Sequence, residues 1–323
     1  MVDGIMDAVD KPKPTLERQM SFSLSPKAVT RKRHTLSRVR ILRAIRRGAA
    51  YLALILVVVS MVFPLIWMIF SSFKSEQEIY QYPPTILPQH FTLAAYRDLF
   101  RLTAFSTWFQ NSVVVSVGVT LIALILSAMG AYALARFHYR PFQVFSRLIL
   151  FAYMVPAILM VIPIFQIVWR LHLGNKLSSL FLVYNAILLP YGIWTLRAYF
   201  AGIPHEIEEA ALIDGASRFQ AFYQVVLPQA LPGLISTALF AFHVAWNEYL
   251  FASVLLWSSR SMTLSAGVST LIGETAMYSW SMLMAAARWM MASAFLALMA
   301  RYSKSLTSAR SILKSGGAPT GCR

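Results

Sequence analysis

Apolar residues in this chain collect into six long runs, at about 49–70, 111–135, 148–169, 177–196, 231–257 and 281–300. A bilayer core about 30 Å thick is crossed by roughly 20 apolar residues in a helix, and each run has about that length. The first four contain no Asp, Glu, Lys or Arg; the fifth carries His243 and Glu248 and the sixth carries Arg288. Charges at membrane depth are costly unless they face protein or water, so those two runs must be packed against something polar. The pattern predicts an all-α membrane protein with six transmembrane helices between residues 49 and 302. Pro64, Pro156, Pro163 and Pro190 fall inside the runs and should bend or interrupt their helices.

Composition agrees with the pattern: 58% hydrophobic, 13% charged and a mean hydropathy of +0.59, against about 45–50% apolar and 25% charged for a soluble domain. A single cysteine, Cys322, excludes a disulfide scaffold. The net charge of +16 raises the question of a nucleic-acid partner, but its distribution argues for none. Residues 1–48 hold twelve Lys and Arg against four Asp and Glu, with Phe22 the lone aromatic, so no stacking platform accompanies the charge. This segment reads as a disordered cytoplasmic tail near anionic membrane lipid. Positive charge is retained inside, so six spans place both termini in the cytoplasm, with 303–323 as a second tail. The segment 71–110 balances Lys74, Arg97 and Arg101 against Glu76, Glu78 and Asp98 and belongs outside.

Between the fourth and fifth runs lies 202–228, reading GIPHEIEEAALIDGASRFQAFYQVVLP. Pro204 suits a first helical turn, Glu206, Glu208 and Glu209 suit the positive helix end, and Ala210, Ala211 and Leu212 extend the helix. Gly215 supplies a left-handed stop. From Ser217 a second helix follows, with Phe219, Phe222, Tyr223 and Val226 at helical spacing and Pro228 at its end.

The string Glu209-Ala210-Ala211, three residues, Gly215, nine residues, Val225, one residue, Leu227-Pro228 resembles the EAA loop of binding-protein-dependent ABC importer permeases. Val225 stands where that family usually has isoleucine. Further matches are similar to the shorter six-span subunit of the maltose and multiple-sugar type: Ser72-Phe73-Lys74 with Glu78 and Pro83-Pro84, Asn111-Ser112, Tyr132 to Arg136, and Trp246-Asn247-Glu248. The resemblance spans about 49–287 and departs over 288–323. It implies a type I importer permease bundle in the cytoplasmic (inner) membrane. It implies a second permease, two ABC ATPase subunits and an extracytoplasmic solute-binding protein as partners. It also implies that the loop docks as a coupling helix, with Glu209, Ala210, Ala211, Asp214 and Gly215 as contact and turn residues and Leu227 and Pro228 closing the motif.

The chain has no Gly-Lys dipeptide, hence no Walker A loop, and no nucleophile elbow. Neither catalytic residues nor a cofactor is expected, and the six histidines are too scattered for a metal site. Trp246, Asn247, Glu248 and Tyr249 are candidates to line a substrate path, since indole faces stack on sugar rings while amide and carboxylate groups bond hydroxyls. Structural pairing of Glu248 with another helix is the alternative. Tyr153, Asn185 and Tyr191 are weaker candidates, and Arg288 is expected to face an acid, Glu248 or Glu274, or the aqueous path. The rival functions are an ion-coupled secondary transporter, built on Glu248, His243 and Arg288, and, within the ABC class, a glycerol-phosphate-type substrate.

Overall fold

The computed structural model describes residues 26–137, 144, 148, 149, 151, 154–273 and 279–292, with side chains from 45 onward. It is helical, with no strand among the described residues. Two compact units are distinguished, residues 1–65 and 66–323. The first contains most of α1, Pro26–Ser71, which carries Pro64 within it. The boundary expected near 48 thus falls inside a continuous helix. Every side chain from 45 to 65 is exposed, including Leu52, Ile55 and Phe63. An apolar cylinder of this kind is stable only with lipid or protein around it.

In the second unit, α2 (Glu76–Ile79) and α3 (Ala94–Leu102) lead into α4 (Phe105–Arg136), whose 32 residues rise about 48 Å. Next come α5 (Ala157–Arg170), α6 (Leu177–Ala201), α7 (His205–Ile213), α8 (Arg218–Gln229) and α9 (Leu231–Asn247). The short α10 (Leu250–Leu255), α11 (Leu264–Gly273) and α12 (280–292) complete the order among the described residues. Among the described residues, three helical stretches are long and apolar enough to cross a bilayer, Ile45–Ser71, Phe105–Arg136 and Leu177–Ala201. The pair α8 and α9, bent by 78°, makes a fourth if taken as one span. The third apolar run departs from expectation: a turn at 154–155 precedes Pro156, and α5 extends only 14 residues. The fifth is divided at Glu248, which has an extended backbone between α9 and α10.

The core is the meeting of α4, α6 and α9. Val115, Val119 and Ala123 of α4 bury against Leu180, Val183, Tyr184 and Leu188 of α6 and Ala241 and Ala245 of α9. Small residues permit the approach: a Cβ placed on Gly192 would lie 2.3 Å from Ser127 Oγ. A second cluster joins Leu99, Trp108, Trp246, Leu264, Met282 and Ala285. A third carries the 202–228 loop, through Ala128 and Ala131 of α4, Leu196 and Phe200 of α6, and Phe222, Val226 and Ala230.

Candidate functional site

The 202–228 loop folds locally as its sequence dictates. α7 ends in a Schellman arrangement in which Gly215 N–H donates to Leu212 O (3.1 Å) and Ala216 N–H to Ala211 O (3.0 Å). Gly215 has φ of 89°, where a Cβ is strained, and open space surrounds it. Ser217 then starts α8 with a capping box, its Oγ accepting from Gln220 N–H (3.3 Å) while Gln220 Oε1 accepts from Ser217 N–H (2.7 Å). Within α8 the stretch Ala221–Val226 is π-helical.

One side of this unit is anchored. Glu208 is buried, and its Oε2 lies 2.7 Å from Arg136 Nε at the end of α4. Tyr132 OH donates to Glu208 Oε1, and both terminal nitrogens of Arg136 reach Ile203 O at 3.3 Å. The Tyr132 ring packs against Phe222 (4.6 Å) and, edge on, Phe200 (6.1 Å). Arg136 therefore holds the loop on both sides of Pro204. Tyr132 and Arg136 belong to one sequence motif and Glu208 to another, and nothing in the spacing of residues 72 apart announces that they meet.

The other side is presented. Glu209, Ala210, Asp214, Gly215 and Pro228 are exposed, and Ala211 and Leu227 are half-buried. Ile213, Phe219 and Tyr223 are exposed at 86%, 69% and 62%. Acidic ends, two alanines and three large apolar side chains form a face able to enter a cleft on another protein.

The residues proposed for a substrate path separate. Trp246 is buried, stacked on Phe242 (5.7 Å) and edge on to Phe109 (5.9 Å). Its Nε1 has no acceptor among the described residues. Asn247 is exposed and donates back to His243 O (2.8 Å); Tyr249 is exposed. Glu248 acts as a structural cap: Oε1 accepts from Phe251 N–H (2.9 Å), and Oε2 accepts from Ala252 N–H (3.2 Å) and Tyr184 OH (2.6 Å). Asn185 is buried, with Nδ2 donating to Phe181 O (2.8 Å), and Tyr191 stacks on Phe240 at 3.8 Å. Tyr153 and Glu274 lie outside the described residues. Of the alternatives expected for Arg288, an acid (Glu248 or Glu274) or the aqueous path, Glu248 is engaged elsewhere and Glu274 lies outside the described residues; Arg288 donates to Tyr96 OH (2.6 Å) and lies over the rings of Phe73 and Tyr96.

The segment between α1 and α4 is closed by its own charges. Glu78 Oε1 accepts from Thr85 Oγ1 (2.9 Å) and Gln89 N–H (2.8 Å), and Lys74 Nζ reaches Thr85 Oγ1 (3.1 Å). Burial pushes the Glu78 carboxyl up, but the amides of Gln89 and His90, the Thr85 hydroxyl and the Lys74 charge outweigh it. The group is held below the usual carboxylate value.

An all-helical bundle of apolar spans, with one helix–turn–helix loop pinned on one side and presented on the other, defines a multi-pass membrane permease. The chain belongs to the family of binding-protein-dependent transport system inner membrane components, whose description matches residues 123–306. It is 38% identical to the inner membrane ABC transporter permease protein YcjP of Escherichia coli (strain K12), over 76% of this chain and 88% of that protein. It is 35% identical to the diacetylchitobiose uptake system permease protein DasC of Streptomyces coelicolor, over 71% and 82%. In fold it is similar to the crystal structure of a bacterial ABC transporter involved in the import of the acidic polysaccharide alginate. That likeness has a TM-score of 0.69 at 24% identity and covers 83% of this chain and 96% of that one.

Proposed function

We propose that this chain is one of two permease subunits of an ATP-driven importer for a sugar or related carbohydrate. It sits in the inner membrane with six spans and both termini cytoplasmic, the basic segment 1–48 lying along anionic lipid. Two ABC ATPase subunits supply the energy and an extracytoplasmic binding protein delivers the solute. The observation that carries this reading is the 202–228 unit, which offers Glu209, Ala210, Ala211 and Asp214 outward while Glu208 is buried on Arg136. α7 is the coupling helix: when the ATPases close, a helix fixed to the end of α4 by a buried ion pair moves that span with it. Carbohydrate specificity is supported by the relative named for diacetylchitobiose uptake and the fold neighbour named for alginate import. An ion-coupled mechanism has less support, because the carboxylate it needs, Glu248, is committed to capping α10.

The test is Gly215→Val. A β-branched residue at φ of 89° costs more than about 1 kcal/mol, enough to unwind the end of α7. Membrane levels should match the wild type, uptake should fall at least tenfold, and copurification with the ATPase subunits should weaken. Wild-type uptake by this variant overturns the docking role of the turn.

A further inference from the structure

A cavity of about 210 Å3 lies where α3 meets α12, lined by Phe73, Leu93, Tyr96, Arg288, Trp289 and Ala292. The hydrogen bonds around it can be assigned from proton supply. Ser72 has a single hydroxyl proton, and it goes to Ile69 O at 2.7 Å. The 2.7 Å contact between Ser72 Oγ and Tyr96 OH must therefore be donated by Tyr96, which leaves Tyr96 to accept from Arg288. Among the described residues Arg288 thus uses one of its five N–H donors, and the relay runs away from the cavity. No carboxylate pairs with it among the described residues. Its guanidinium carbon lies 4.8 and 5.7 Å from the ring centroids of Phe73 and Tyr96. A guanidinium is always charged, and a half-buried one without a counter-ion is expensive.

We propose that the cavity is a binding site for the phosphate of a membrane phospholipid, with Arg288 as its ligand. An oxyanion supplies the acceptors that the free donors lack and matches the planar fork. The choice among oxyanions follows from the remaining walls. Phe73, Leu93 and Ala292 offer carbon, Trp289 adds an indole ring, and the Tyr96 hydroxyl is already engaged on both sides. An acidic sugar would bury hydroxyls there without partners, at a cost. A lipid places one charged group on the arginine and aliphatic chain on the aromatic walls. The proposal stands independently of which solute is carried.

The test is native mass spectrometry of the full chain released from vesicles of equimolar phosphatidylglycerol and phosphatidylcholine. The wild type should retain one phospholipid at collision energies that strip the rest. Arg288→Gln should retain at least tenfold less, Arg288→Lys should be intermediate, and Arg101→Gln, on the exposed side of α3, should match the wild type. Leu93→Trp, which fills the cavity and leaves the arginine in place, should also lose the lipid, so the result does not rest on a variant that removes a buried charge. Equal retention by wild type and Arg288→Gln overturns the site, as does a wild type with no retained lipid. Displacement of the lipid by D-glucuronate but not by D-glucose overturns the lipid assignment in favour of an acidic sugar.

Discussion

Glu208 and Arg136 have side chains exposed by only 7% and 4%, so neither charge can be hydrated when its partner is removed. Losing one member of such a pair costs about 3–5 kcal/mol, whereas replacing both by apolar residues is often neutral. Glu208→Leu and Arg136→Met should each lower the melting temperature of the detergent-solubilised protein sharply. The double variant should recover most of that loss while transport remains impaired, because the polar link between α7 and α4 is gone; additive losses would exclude the pair as the link. Glu248 invites a similar separation of roles. Its two oxygens accept from Phe251, Ala252 and Tyr184, and a glutamine keeps only one accepting oxygen. Glu248→Gln should lower thermal stability by about 1–3 kcal/mol and leave the KM for solute unchanged. A raised KM at unchanged stability would return Glu248 to the substrate path.

At the scale of elements, polar bonds close two segments, in the loop 202–228 on top of its apolar cluster. The loop 202–228 depends on its Schellman end, its capping box and the Arg136 anchor, and it leaves Ile213 and Phe219 outside. The segment between α1 and α4 depends on Glu78. Because its carboxyl titrates below the ordinary value when folded, the stabilisation it contributes is complete above the unfolded carboxylate value. That stabilisation declines as pH falls through the lower folded value. Proteolysis within 80–90 should accelerate as pH is taken below the ordinary carboxylate range, and Glu78→Gln should show fast cleavage at neutral pH with little further change on acidification. A variant that keeps the wild-type pH profile would rule out Glu78 as the latch.

For the whole molecule, composition and the lengths of the apolar runs were sufficient to place the chain in a membrane as a helical bundle, since continuous apolar runs of about 20 residues satisfy their own backbone in lipid as helices, whereas barrel strands are about half as long and alternate. The sequence was equally sufficient for the helix, left-handed turn and second helix around Gly215. Caps and turns are written in neighbouring residues, and no distant contact is needed to form them. What tertiary structure alone decided is which charges meet. Arg136 and Glu208, 72 residues apart, are joined because α4 and the loop share the cluster of Ala131, Phe200 and Phe222. Glu248 is a cap because the fifth run breaks beside it, and Arg288 rests on Tyr96 because α3 packs near α12. Periodicity fixes which residues share a helix face, but partners across helices are set by packing among side chains far apart in the chain, and a charged group buried there takes whichever partner that packing brings within reach.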